Sequence, residues 1–145
     1  MPHAIYAASM PTVVPQDLAD ARSRALAEAL RTRVVVADGA MGTMIQAQDP
    51  TLEDYEGLEG CNEILNVSRP DIIAAVHDAY LEVGVDAIET NTFGANWSNL
   101  SDYDIDDRIR ELAAAAARIA RERADGHSSA GRPRWGLGAV RAGAE

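Results

Sequence analysis

Val34–Thr43 reads VVVADGAMGT: a run of apolar, mostly β-branched residues that breaks at an acid and then meets two glycines three residues apart. A short unbroken apolar run of this kind is expected to form a strand covered on both faces, as in a parallel sheet. The pattern recurs downstream. Val85–Thr90, VDAIET, is again apolar and again closes on an acid and hydroxyls, in the run ETNTFG. Two strands that both turn polar at their carboxyl ends set the fold class.

The segments between and around these strands read as helices. Pro15–Arg33 has Asp17 and Asp20 near its start and Arg31 and Arg33 near its end, which suits the helix dipole. Leu18, Ala21, Ala25, Ala29 and Leu30 are expected to share one face. Asp49–Arg69 reads as an irregular loop, long enough to imply a functional role. Pro70 and Asp71 then open a helix that Gly84 stops, with Ile72, Ile73, Val76, Tyr80 and Val83 as its apolar stripe. A further helix spans about Asp104 to Ala124, its stripe being Ile105, Ile109, Leu112, Ala116 and Ile119. RWGLGAV begins like a third strand. Helical crossovers between strands predict an α/β protein with a parallel sheet.

At 145 residues the chain is long enough for one domain with a real core. A net charge of −10 argues against broad contact with nucleic acid or an anionic membrane. The late arginines Arg118, Arg121, Arg123, Arg132 and Arg134 have acids close by and read as a solvated helix face. One cysteine, Cys61, forms no internal disulfide and fits a reducing, cytoplasmic setting. No apolar run approaches membrane-spanning length. Residues 1–15 read as a flexible leader and 16–145 as the domain.

In parallel α/β folds ligands sit at the carboxyl edge of the sheet. That edge collects Asp38, Gly39 and Thr43 from the first strand and Glu89, Thr90, Asn91 and Thr92 from the second. A phosphate cradle fits poorly, because DGAMGT matches neither glycine-rich phosphate fingerprint and no Lys follows it. Asp38 repels a phosphate and attracts an ammonium. Gly39 and Gly42 would let the backbone turn tightly and approach a ligand, although Asp-Gly is also an ordinary turn. Asn62, Glu63 and Asn66 are secondary candidates that local turn bonding explains equally well. His77 reads as a partly exposed structural histidine, Cys61 as a poor nucleophile beside acids, Met41 and Met44 as packing residues, and Trp97 as a loop anchor or lid.

Taken together, DGAMGT, GCNEILNVSRPDIIAAVHDAYLEVGVDAIETNTFGAN and LSDYDIDDRIRELAAAAARIAR closely resemble the amino-terminal homocysteine-binding domain of the cobalamin-dependent methionine synthases, shared more loosely with the betaine–homocysteine methyltransferases. The resemblance runs from about Arg33 to Val140 in order and spacing. It implies the first part, about three βα units, of a (β/α)8 barrel of the TIM type, which needs roughly 250 residues when complete. It also implies homocysteine as substrate. Asp38 matches the acid that holds the amino-acid end of that substrate, with the Gly39 backbone beside it. Thr90 matches a substrate-contacting position, and Asn91 and Thr92 are its lower-ranked neighbours.

The family's chemistry is methyl transfer to sulfur, with zinc presenting the thiolate and cobalamin, recharged by methyltetrahydrofolate, supplying the methyl group. The cysteine zinc ligands of the family, one in an Asn-Cys pair and two adjacent, have no counterparts here, and no cobalamin domain is present. The resemblance therefore reads the chain as a truncated fragment, with no catalytic or metal residues of its own. Two other readings stay open: a piece of a stand-alone homocysteine S-methyltransferase, and a non-catalytic binding or assembly module whose barrel a partner chain completes.

Overall fold

The computed structural model describes residues 16–141. The expected leader, residues 1–15, lies outside them. The elements in order are α1 (Gln16–Thr32), α2 (Met41–Gln46), a 3-10 turn at Asn62–Ile64 leading into α3 (Leu65–Ser68), α4 (Pro70–Val83), β1 (Ala87–Glu89), α5 (Trp97–Leu100), 3-10 turns at Ser101–Tyr103 and Asp106–Arg108, α6 (Ile109–Gly126) and β2 (Trp135–Leu137).

The chain is of mixed α/β class with a small parallel sheet. β1 and β2 pair in register, Ala87 with Trp135 and Glu89 with Leu137, and α6 makes the crossover between them. On the far side of β1 the expected first strand shrinks to a single parallel bridge, Ala37 to Ala87. Val36 O takes Asp86 N and Ala87 N, and Asp38 N donates to Ala87 O at 3.1 Å. Val34–Ala37 thus lies beside β1 where the reading placed it, but it is not covered on both faces: Val34 is 81% exposed and Val36 52%. No layer among the described residues packs over them, and apolarity alone does not bury a strand.

α4 keeps its expected limits. Pro70 occupies the first turn, and Gly84 closes the helix at φ 101°, in the left-handed region that favours glycine. Its buried face runs through Ile72, Ile73, Val76, His77 and Leu81, while Val83 is exposed. The stripe is thus shifted toward the Ile73–His77–Leu81 row, which steps by four. α6 buries Leu112, Ala115, Ala116, Ala120 and Ala124, and these small side chains let it lie close to α4 and the sheet. The Asp49–Arg69 segment is less irregular than expected. Cys61, Ile64 and Leu65 join Ile45, Ile73, Val76, Leu100 and Leu112 in the main core.

α1 is the outlier. None of its residues with a described side chain is buried: of the expected apolar face, Ala21, Ala25 and Leu30 are exposed and Ala29 is half-buried, while the Leu18 side chain lies outside the described ones. It is tied by Arg22 to Asp125 and, just past its end, by a bidentate Arg33–Asp86 pair at 2.8 and 3.0 Å.

Candidate functional site

The carboxyl edge of the sheet opens on a cavity of about 280 Å³. Asp38, Gly39, Asn62, Glu63, Thr90 and Asn91 line it, with Glu89, Phe93, Ala139 and the start of α2 completing the wall. The two strand ends picked out in the sequence therefore meet in one place. Thr92 does not line this cavity. It lines a neighbouring trough against α6.

Asp38 is fixed by the backbone: its Oδ1 accepts the Glu89 N–H at 2.8 Å. Desolvation raises its carboxyl pKa to about 6, against the lowering effect of that hydrogen bond. The turn after it is tight, but the residue in the left-handed region is Ala40, at φ 48°, and not either glycine. A Cβ on Gly39 would meet nothing within 4 Å, so neither crowding nor a left-handed backbone requires glycine there.

The other candidates are largely occupied. Asn91 Nδ2 donates to Asn62 O at 2.8 Å and to Asn66 Oδ1 at 3.0 Å, while Asn66 Nδ2 donates to Asn91 O at 2.9 Å. This reciprocal buried amide pair clamps the Asn62–Asn66 segment onto the end of β1. The Thr90 and Thr92 hydroxyls lie 2.7 Å apart. Thr90 Oγ1 also accepts Ala139 N, and Thr92 Oγ1 donates to Ala139 O at 2.7 Å, so together they hold the chain leaving β2. Glu63 is buried, its Oε1 accepting Gly94 N at 2.7 Å. Phe93 and Ala139 as wall residues carried no signal in the sequence, since nothing in either residue type marks a binding role.

The charge of the cavity is one-sided. Asp38, Glu63 and Glu89 line it, and among the described residues no Lys, Arg or His does. Such a wall favours a positively charged group.

Two residues differ from their sequence reading, and a third keeps its reading for a different main reason. His77 is fully buried, not partly exposed; burial holds its imidazole neutral down to about pH 4, and neither ring nitrogen has a hydrogen-bond partner among the described residues. Arg134 is 6% exposed and so is no part of a solvated helix face. Cys61 is buried, and burial, more than the neighbouring Glu63, pushes its thiol upward. Met41 and Met44 pack against the core as expected, and Trp97 stands exposed.

Among the described residues no three His, Cys, Asp or Glu side chains are grouped so as to hold a metal ion. Cys61, buried and favouring the thiol, does not fit a zinc centre. Nor is any described helix long and apolar enough to cross a membrane.

The sequence profile of homocysteine S-methyltransferase matches residues 35–144. The chain is 56% identical over 115 residues to methionine synthase of Mycobacterium tuberculosis, and 52% identical over 115 residues to methionine synthase of Mycobacterium leprae. Each match covers 79% of this chain and 10% of the relative, so the chain spans about a tenth of the length of these proteins.

Proposed function

The chain belongs to the homocysteine S-methyltransferase family, and from that premise we propose that it is the amino-terminal part of a methionine synthase homocysteine barrel, whose carboxyl-edge cavity receives the amino-acid end of homocysteine. The observation that carries this reading is the cavity itself: a desolvated carboxylate, Asp38, in a wall with two further acids and, among the described residues, no base. The α-ammonium of the substrate pairs with Asp38, displacing its proton where it is protonated. The Gly39 backbone leaves room beside it, and Thr90 closes the other side. Asn91 and Thr92 act through Asn62, Asn66 and Ala139, as brackets that keep the two strand ends together.

In this reading the parallel β1–β2 pair and the Val34–Ala37 segment are the first strands of a (β/α)8 barrel. The parent reaction is methyl transfer from cobalamin, recharged by methyltetrahydrofolate, to zinc-activated homocysteine in the cytoplasm. No zinc or cobalamin step falls to the described residues, which do not make a zinc centre. Their share is to bind and orient the substrate. The identity to methionine synthases favours this branch over a stand-alone homocysteine methyltransferase. A partner chain that supplies the remaining strands is the alternative to a single continuous barrel.

Calorimetry tests the assignment. Homocysteine is titrated into a complete barrel containing this segment, with Asp38 and with Asp38→Asn. Loss of a charge-assisted bond costs about 1.5–3 kcal/mol, so affinity should fall about ten- to a hundredfold. Equal affinity for the two forms would return Asp38 to the role of a turn residue.

A further inference from the structure

The acids of the carboxyl-edge cavity suit an ammonium, but an amino acid also brings a carboxylate. Beside Asp38, Glu63 and Glu89 that group is repelled unless a hydrogen-bond donor meets it. No Lys, Arg or His lines the cavity among the described residues, so a side-chain donor has to be a neutral one. Three lining residues carry such a group: Asn62, Thr90 and Asn91.

Counting protons eliminates two of them. Thr92 Oγ1 gives its single proton to Ala139 O at 2.7 Å. In the 2.7 Å contact between the two hydroxyls Thr90 is therefore the donor, and its own proton is spent. Asn91 Nδ2 has two N–H groups, and they go to Asn62 O and Asn66 Oδ1. Asn62 is different. Its Oδ1 accepts the Tyr55 hydroxyl at 3.4 Å, and Tyr55 does not line the cavity. Its Nδ2 lies 3.8 Å from the point where a Cβ on Gly42 would stand, and Gly42 does line the cavity. Neither Nδ2 proton has a partner among the described residues. The backbone beneath it is held, because Asn62 O accepts Asn91 Nδ2 at 2.8 Å. Asn62 thus offers two unspent N–H groups on an anchored segment at the cavity wall.

We propose that Asn62 Nδ2 donates to the α-carboxylate of the substrate, so that the cavity selects a zwitterionic amino acid over a simple amine. The inference rests on the homocysteine reading of this cavity and adds to it the residue that recognises the second charged group. A neutral amide suits the position. A lysine or arginine there would pair with Asp38 or Glu89 and take the place of the ammonium, whereas an amide donates to a carboxylate without bringing a charge that the acids would capture.

The test is an NMR titration of the full 145-residue chain with two probes: homocysteine, and aminopropanethiol, which is the same molecule without its carboxylate. The side-chain amide signal of Asn62 is assigned by its loss in Asn62→Asp. Affinities in every form are read from the backbone amide of Glu89, which Asp38 holds. Homocysteine should shift the Asn62 signal saturably, and the amine should bind without moving it. Asn62→Asp is nearly isosteric and keeps an oxygen for Tyr55. It should weaken homocysteine about tenfold or more while the amine binds as well as before or more tightly. Asp38→Asn should weaken both probes. An Asn62 signal that stays still while homocysteine binds in an Asp38-dependent way would overturn the proposal and leave the homocysteine reading standing. So would an equal loss of both probes in Asn62→Asp, which would make Asn62 a purely structural residue. No saturable binding of homocysteine, or equal homocysteine affinity in Asp38→Asn, would overturn both.

Discussion

Two apolar segments of this chain meet side by side and end differently. Ala87–Glu89 forms a strand with Ile88 wholly buried, between the Ala37 bridge on one edge and β2 on the other. Val34–Ala37 is at least as rich in β-branched residues. It nevertheless makes one bridge and leaves Val34 and Val36 exposed. The difference is cover and not propensity. α4 and α6 both pack against β1, with Leu81, Val85, Ala120 and Ala124 around Ile88. Nothing among the described residues does this for Val34. β-propensity describes how well a side chain fits a half-buried pleat, and it takes effect only where a second layer exists.

The comparison breaks most readily at Ile88. Ile88→Ala opens a cavity in a sheet–helix core and should cost about 2–5 kcal/mol by denaturant unfolding. A cost below about 1 kcal/mol would mean that the α4–α6 layer is loosely packed and that the two strands differ less than the structure shows.

The next effect depends on pH and arises in the same covered half. His77 is buried on α4, with Asp78 on its own helix and Arg123 of α6 as the charged groups acting on it. Its folded pKa, about 4, lies below the usual 6.5, so the unfolded chain binds more protons in that interval. Stability from this residue is full above about pH 6.5 and falls by about 3 kcal/mol as pH drops to about 4. Asp38 acts with the opposite sign. Its folded pKa is raised to about 6 from 3.8, so its contribution declines as pH rises through that interval. The two partly cancel in the intact chain. His77→Leu should flatten the acid loss, and Asp38→Asn should steepen it. Identical unfolding profiles from pH 4 to 7 for the parent chain and both variants would refute both assignments.

Gly94 tests how the cavity wall is held. A Cβ there would lie 2.5 Å from Glu63 Oε1 and 2.6 Å from Asn99 Nδ2. Glu63 cannot swing away without surrendering its bond to Gly94 N in a buried setting. Gly94→Ala should therefore cost about 1–3 kcal/mol and loosen the segment after β1, visible as faster amide exchange at Gly94–Asn99. Unchanged exchange would show that Glu63 has another rotamer free to it.

These residues also show what the sequence could and could not convey. α4 was legible because its ends carry chemistry: within a helix Pro is well tolerated only in the first turn, where Pro70 stands, and the left-handed stop favours a glycine, supplied by Gly84. The grouping at the carboxyl edge was legible because both segments break at polar residues, and Asp38, Gly39, Thr90 and Asn91 do line one cavity. Thr92 was not separable from Thr90 by sequence: both line the α6 trough, and of the two only Thr90 also reaches the carboxyl-edge cavity, which the fold alone decides. His77 was misread because Asp78 beside it looked like a solvent-side neighbour. In a helix, however, adjacent residues point about 100° apart, and the residues that share the His77 face are Ile73 and Leu81. The Asn62–Asn66 segment looked like a loop by composition. Asn91 instead engages the Asn62 carbonyl and, across 25 residues, the Asn66 side-chain amide, and no local pattern encodes such a pairing.

The smallest predicted effect is the one that separates the two segments most cleanly. Val34 is 81% exposed, and its carbonyl accepts a hydrogen bond from the Arg33 side chain at 2.9 Å. Val34→Thr keeps the β-branch and the backbone preference while replacing a methyl group with a hydroxyl. At an exposed position the polar atom is solvated, so no desolvation cost arises and the change should stay within about 0.5 kcal/mol. The same substitution in a complete barrel is a different experiment. If Val34–Ala37 is there a central strand with a second layer over it, the hydroxyl is buried without a partner and the cost rises to about 1–3 kcal/mol. A small cost in the 145-residue chain and a large one in the complete barrel would show that cover, supplied by residues beyond this segment, turns the run into a strand. A large cost in both would mean that Val34 is already packed in the short chain. A small cost in both would remove Val34 from the barrel wall and weaken the assignment of this segment as its first strand.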